Sequence, residues 1–290
     1  MSRWTVADVP DHRGRTVVVT GAASGLGAET TRVLAAAGAT VIMACRDLEK
    51  ARAVADTVDG TTDVRALDLA DLSSVRAFAD GIDRADVLIN NAGVMGVAFG
   101  ITADGFEQHI GTNHLGHFAL TGLLIDRVRD RVVTVTSGLH VLGRLHDDLN
   151  WKGGRYQRWL AYAQSKLANL LFAYELQRRL AAAGRRTISV AAHPGLAATE
   201  GQRRDRSLQG VLVAGGPAQS PAMGALPLLF AAAAPGVEGG TCIGPDGFLQ
   251  RHGHPTVVRS SRRSYDAALA ARVWERSEAL TGVPFDIGAG

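Results

Sequence analysis

Residues 16–38, TVVVTGAASGLGAETTRVLAAAG, read as a β-branched strand, a glycine-rich turn and an Ala-rich helix, in that order. The order gives the glycines their meaning. Between a strand and a helix they stand where a phosphate can meet free N–H groups and the positive end of a helix dipole. Gly21 permits the tight turn, and Gly25 and Gly27 let backbone and pyrophosphate approach closely, with Ser24 and Leu26 completing the contact. A plain turn with a glycine cap is the alternative.

Outward from this unit, strand-like runs at 40–44, 64–67, 87–89, 132–136, 187–192 and 241–243 alternate with helical stretches at 47–58, 73–80, 104–127, 158–183 and 221–233. That alternation predicts a single α/β domain over 1–290 of the Rossmann type: a doubly wound, seven-stranded parallel sheet with helices on both faces. A last helix, 265–280, is expected to bury Leu269, Val273, Trp274 and Leu280 at helical spacing. The stretch from 196 to 220 is irregular and is expected to cover a substrate.

Composition fits a soluble globular chain of 290 residues, 46% hydrophobic and 20% charged. The net charge of +3 comes from basic residues interleaved with acidic ones, which argues against a nucleic-acid partner. Only Lys50, Lys152 and Lys166 are lysines among the 31 basic residues, an arginine bias expected of a GC-rich bacterial genome. Cys45 and Cys242 are read as a reduced pair rather than a disulfide. MSRWTVADVPDHRGR at the start lacks the apolar core of a signal peptide, and LPLLFAAAA at 226–234 is too short to span a bilayer. A cytoplasmic location without a membrane anchor is expected.

Nucleotide preference is read about 20 residues past the glycine turn, where an acid would bind a ribose 2′-hydroxyl. Cys45 stands there, followed by Arg46, whose guanidinium suits a 2′-phosphate, so NADP(H) is favoured over NAD(H). Asp47 is the objection, since a loop shift would bring it to the ribose. Asp68 and Leu69 end the third strand, the first suited to the adenine amino group and the second to its ring; Asp68 could instead cap the following helix. After the fourth strand, Asn90, Ala92 and Gly93 leave room for the adenine ribose, while Asn91 suits a structural tie between strands as well as a ligand.

Tyr162 and Lys166 lie four apart in YAQSKLANLLF, on one face of a helix, where Lys166 can place its ammonium close to the Tyr162 oxygen and the cofactor ribose, so both count as cofactor-binding as well as catalytic. Hydride transfer to a carbonyl leaves an alkoxide that needs a proton. A phenol supplies it if its pKa is brought down from about 10. An ammonium 4 Å away is worth up to about 4 kcal/mol at an effective dielectric of 20, roughly three pKa units. Such a pair arises by chance in about four chains in a hundred, so its weight depends on Ser137, which closes RVVTVTS at a strand end and can hold the substrate oxygen.

TGAASGLG, LDLADLSSV, NNAG, TNHLGHF, VTVTS, YAQSK and HPG, in this order and spacing, resemble the short-chain dehydrogenase/reductase family over nearly the whole chain. MACRD, LINNAGVM, NHLGHF and YAQSKLANLLF are most similar to its retinol-dehydrogenase-like branch, which takes in WW-domain oxidoreductases and resembles protochlorophyllide reductases. Ala23 stands where that branch usually has Asn, a departure that touches a loop hydrogen bond and not the fold. No cysteine lies near the Tyr162 segment, which argues against pigment reduction. The resemblance implies that Tyr162 is the acid/base, that Lys166 tunes it, and that Asn113 holds a water linking Lys166 to solvent. It also implies that Pro194, Gly195, Ala197 and Thr199 of HPGLAAT close over the nicotinamide. His109, His114 and His117 are read as ordinary helix histidines, because no carboxylate or cysteine completes a metal set.

The expected activity is therefore an NADP(H)-dependent oxidoreductase acting on a small alcohol, aldehyde or ketone, with a hydrophobic substrate suggested by the branch. A non-catalytic dinucleotide sensor on the same fold is the alternative, disfavoured by the intact set of Asn113, Ser137, Tyr162 and Lys166. The nearly all-apolar stretch 167–176 predicts one helix face on the sheet and another on a partner subunit, in a homodimer or homotetramer. Arg203, Arg204 and Arg206 are read as a solvated face rather than an anion site.

Overall fold

Eight strands form one sheet in the computed structural model, which describes residues 3–147, 149–151, 155–196 and 219–288. In chain order they are β1 (Thr16–Thr20), β2 (Thr40–Cys45), β3 (Thr61–Ala66), β4 (Ala85–Asn90), β5 (Val128–Val135), β6 (Ile188–Ala192), β7 (Cys242–Pro245) and β8 (Pro255–Val258). Their spatial order is β3-β2-β1-β4-β5-β6-β7-β8, with the first seven parallel. β8 returns antiparallel on β7 and makes the sheet eight-stranded instead of the expected seven. Its sequence, PTVV, begins on a proline and is short, as an edge strand tolerates.

Alternation along the inner strands sends side chains to two separate cores. Val17, Val19, Val41 and Met43 face one side, under α1 (Gly25–Ala36), α2 (Leu48–Ala55) and α6 (Pro221–Ala233). Val18, Ile42, Leu88 and Val132 face the other, under α3 (Leu72–Asp80), α4 (Gly116–Leu124), α5 (Arg158–Ala182) and α7 (Ala267–Thr281). Register aligns the strand ends. Thr20 pairs with Ala44, Val19 with Ile89, and Val135 with Ala192. The C-terminal ends thus finish along one edge, and the chain reverses its winding between β1 and β4, where open α/β sheets bind ligands.

Several boundaries differ from the sequence reading, each for a local reason. β5 starts at Val128 rather than 132, because Val128 already pairs with Ala85 of β4 and the Arg131 guanidinium within it is accommodated by donating to Ala231 O and Ala234 O at 3.1 and 3.2 Å. The helix expected over 104–127 begins at Gln108 instead. Gly105 turns with φ +81°, and Glu107 accepts hydrogen bonds from the N–H groups of His109 and Ile110. Gly111–Leu115 then forms a π turn, in which Gly116 N–H bonds Gly111 O, before α4 proper. Asp71, not Asp68, caps α3, accepting from Ser73 and Ser74 N–H. α7 begins after Asp266, whose carboxylate accepts from Leu269 N–H.

The apolar stretch 167–176 of α5 is buried within the chain itself. Leu167, Ala168 and Leu171 pack against Ala270 and Val273 of α7, and Phe172, Leu176 and Leu180 join Trp274. Phe172 and Trp274 stack with centroids 5.7 Å apart, and the Arg179 guanidinium lies 4.4 Å from the Trp274 ring centroid. The chain's own α7 covers what the sequence assigned to another subunit. Leu269 and Leu280, expected in this core, are only half-buried at its margin. Trp274→Ala is expected to lower the unfolding free energy by about 3–5 kcal/mol, as large core truncations do; urea denaturation with matched m-values checks it.

Candidate active site

A cleft of about 820 Å³ opens over the aligned strand ends. At one end the turn after β1 supplies Gly21, Ser24, Gly25, Leu26 and Gly27 to its lining. The spacing is enforced by contact. A methyl group on Gly27 would come 2.3 Å from Gly21 O and 2.7 Å from Asn91 Nδ2, and Gly25 adopts φ +53°. α1 therefore starts flush against the turn, with its free N–H groups aimed into the cleft. Arg46 follows β2 and lines the same end. The Asp47 carboxylate is engaged as N-cap of α2, accepting from Lys50 N–H at 3.0 Å, so the ribose-directed shift considered from sequence would cost that cap.

Asp68 and Leu69 line the cleft after β3, with the Asp68 carboxylate accepting from Ala70 N–H at 2.9 Å. Ala92 and Gly93 line it after β4. Asn90 does not: its amide is buried and donates to Thr121 Oγ1 at 2.9 Å, behind the lining. Asn91 does both things the sequence left open, lining the cleft and tying β4 to β1 by donating to Thr20 O at 2.8 Å. Pro194 and Gly195 line the far wall, whereas Ala197, Thr199 and most of the stretch expected to cover the substrate lie outside the described residues.

Ser137, Tyr162 and Lys166 meet at the other end, brought together by β5 and α5. Lys166 Nζ donates to Val135 O at 3.1 Å, Asn169 Nδ2 donates to the same oxygen at 3.0 Å, and Thr136 Oγ1 donates to Lys166 O at 2.8 Å. These bonds set the roll of α5 and turn Tyr162 into the cleft. Burial drives both titrating groups toward neutrality: it pushes the Tyr162 phenol up to about 12, against an opposing pull from Ser137, and the Lys166 ammonium down to about 8. The pull that lowers the phenol comes from Ser137, not from Lys166 as the sequence reading expected, and burial outweighs it. Lys166 Nζ lies 5.8 Å from the phenol ring centroid and is engaged with the strand carbonyl.

Asn113 stands behind the lining. Its amide accepts from Val94 N–H and donates to Val94 O and Ser165 Oγ, while Ser165 donates to Tyr162 O. A methyl on Gly93 would come 3.0 Å from Asn113 Oδ1 and 3.6 Å from Lys166 Nζ, so the two groups border the same corner beside this glycine and a side chain there would crowd the Asn113 amide.

Sequence reading passed over several lining residues. Lys50 joins Arg46 at the nucleotide end; its signal was Asp47, which as N-cap puts Lys50 on the first turn of α2. Leu249, Gln250 and Arg251 enter from the β7–β8 connection, where Leu249 and Gln250 hold φ of 50° and 55° without being glycine. Nothing in the sequence marks that loop. Among the described residues no group of His, Cys, Asp and Glu has the arrangement of a metal site, and both cysteines are free and buried.

The sequence model of one family, described as short chain dehydrogenase, matches residues 15–209. The chain belongs to the short-chain dehydrogenase/reductase family. Retinol dehydrogenase 11 of Homo sapiens is 42% identical over 288 residues, covering 94% of this chain and 87% of that protein, which places the chain in the retinol-dehydrogenase-like branch. A crystal structure of an uncharacterized protein from Mycobacterium Paratuberculosis is 52% identical and superposes with a TM-score of 0.87 over 98% of this chain and 99% of that one. A blue fluorescent protein from a metagenomic library, solved in complex with NADPH, is 26% identical with a TM-score of 0.64, over 80% and 96% of the two chains. This short-chain dehydrogenase/reductase is an NAD(P)-dependent oxidoreductase acting on alcohols.

Three imidazoles of the short-chain dehydrogenase/reductase core make its stability sensitive to acid. Burial lowers His114 to about 4, His117 to about 3 and His193 to about 4, against 6.5 for a free imidazole. Between pH 6.5 and about 4 the unfolded chain binds protons that the folded chain refuses, so stability is lost as pH falls through that window. The thermal midpoint should drop across it, and the drop should be shallower in His114→Gln; parallel curves for the two proteins would contradict this.

Proposed function

We propose that the chain transfers hydride between NADP(H) and a hydrophobic alcohol or its aldehyde or ketone, using Ser137, Tyr162, Lys166 and Asn113. The observation that carries this reading is one cleft with two unlike ends: a glycine turn flanked by Arg46 and Lys50, and a buried corner holding Ser137, Tyr162 and Lys166. Two cationic side chains beyond the glycine turn suit the extra phosphate of NADP(H). The cradle fits a dinucleotide phosphate, since Gly25, at φ +53°, has open space where a Cβ would stand, directly before the free N–H groups of α1.

The nicotinamide, when bound, supplies or takes up the hydride. The rest falls to the protein. Ser137 holds the substrate oxygen in position from the end of β5. Tyr162, protonated across the neutral range, is the group that donates a proton to that oxygen during reduction and accepts it during oxidation. Lys166 supplies positive charge beside the phenol and, through the Gly93 corner, meets Asn113 at the start of a proton path toward solvent. Val94, Met95, Leu139, Val141 and Leu249 give the chemical end of the cleft an apolar lining. That lining, together with a relative named retinol dehydrogenase 11, favours an extended lipophilic alcohol or aldehyde.

Tyr162→Phe is expected to reduce kcat/KM for carbonyl reduction by about 100-fold or more while NADPH binding stays near wild type; unchanged turnover across a carbonyl panel would sink the assignment. Arg46→Asp should invert the ratio of catalytic efficiencies with NADPH and NADH, and a constant ratio would remove the NADP(H) preference.

A further inference from the structure

His117 is fully buried on α4, one turn beyond Asn113, and makes two hydrogen bonds that fix its tautomer. Nδ1 lies 3.0 Å from Asn113 O, a carbonyl that can only accept, so Nδ1 carries the proton. Nε2 is then the acceptor and takes the hydroxyl proton of Thr20 at 2.9 Å, a shorter contact than the 3.3 Å to Ile89 O, the other acceptor within reach of that hydroxyl. Thr20 Oγ1 in turn accepts from the N–H groups of Asn91 and Ala92, both at 2.9 Å. The chain of bonds runs in one direction: from the backbone after β4, through the last residue of β1, through the imidazole, to the carbonyl of Asn113. Both ring nitrogens of His117 and the Thr20 hydroxyl have partners in it.

The two ends of this chain have different duties. Thr20 immediately precedes Gly21, and a methyl on Gly21 would come 2.9 Å from Ala92 Cα, so the glycine turn and the segment after β4 are in contact there. The Asn113 carbonyl lies in the π turn, and the same residue's amide clamps Val94 and reaches Ser165 beneath Tyr162. One neutral imidazole therefore bridges the wall that seats a dinucleotide phosphate and the residue that borders Lys166.

We propose that His117 is a positioning residue that couples cofactor seating to the orientation of Asn113, through Thr20 on one ring nitrogen and the Asn113 carbonyl on the other. The proposal rests on the NADP(H) reading of the cleft. Burial holds the imidazole neutral, at about 3, so the donor and acceptor roles do not exchange near neutral pH.

The two bonds can be removed separately. An asparagine amide stands near the place of Nδ1, so His117→Asn retains a donor for Asn113 O and loses Thr20. A glutamine amide reaches the place of Nε2, so His117→Gln retains a partner for Thr20 and loses Asn113. Thr20→Val removes the Thr20 link together with the acceptor for Asn91 and Ala92 N–H, so its effect is read against His117→Asn, which leaves that acceptor in place, with Thr20→Ser as the conservative rescue. NADPH dissociation constants from nicotinamide fluorescence, single-turnover carbonyl reduction and thermal midpoints are measured on the full chain. His117→Asn and Thr20→Val should weaken NADPH binding by about tenfold, the worth of one buried hydrogen bond, with the single-turnover rate at saturation within about threefold of wild type. His117→Gln should show the reverse, a rate down by about tenfold with binding within about twofold, and Thr20→Ser should restore binding. If the variants lower only the thermal midpoint, with binding and rate unchanged, His117 is merely structural and the proposal is overturned. If the His117 variants fail to fold, the Thr20 pair decides, and equal binding by Val and Ser overturns it. A wild-type chain that binds no NADPH defeats the reading of the cleft itself, a different result from a wild type that binds and variants that match it.

Discussion

The carbonyl of Val135 is the acceptor on which the chemical end of the molecule depends. A buried ammonium is tolerated only with a partner, and Lys166 finds one at the last residue of β5, beside Asn169 on the same oxygen. These two donors, three residues apart on α5, lock the helix against the sheet at one rotational setting. Tyr162, one turn earlier, is thereby committed to the cleft, and Phe172 and Leu176, further along, to the second core. The position of the phenol follows from a strand carbonyl more than from anything in its own surroundings.

α7 completes what that setting begins. With α5 fixed by its polar edge, its remaining apolar surface needs cover, and Val273, Trp274 and Phe285 supply it from the same chain. His114 adds a polar tie, with Nε2 2.8 Å from Ser277 Oγ, so the π turn that carries Asn113 is braced from the C-terminal helix as well as from the sheet. The imidazoles read in the sequence as ordinary helix residues hold the segment around Asn113 in place. They are not idle: each bonds a different segment to the turn around Asn113.

Much of the fold was legible because parallel strands buried on both faces leave continuous β-branched runs such as VVV at 17–19, and because glycines at contact distances admit no other residue. The cleft residues at strand ends were legible for the same reason, since strand ends are where the pattern breaks. Asn90 illustrates the limit. It sits at a strand end like its neighbours, yet its amide points to Thr121, and a one-residue difference in facing leaves no mark in composition. The intramolecular cover of α5 was hidden because an apolar helix face looks the same whether its partner is another subunit or residues a hundred positions later. Lys50 was legible through its Asp47 cap and was passed over, whereas the β7–β8 loop was hidden by backbone conformations that its side chains do not announce.

The position of α7 in the chain order has a consequence for biosynthesis. Trp274 and Phe285, with ring centroids 4.4 Å apart, close over Phe118 and Phe172, residues made more than a hundred positions earlier. A ribosome emitting this chain therefore releases the strands β1 to β6 and the helix bearing Tyr162 well before their last hydrophobic cover exists. Until residues 267–285 emerge, the Phe118 and Phe172 rings of α4 and α5 lack that cover, the kind of transiently exposed apolar surface that makes a nascent chain prone to association.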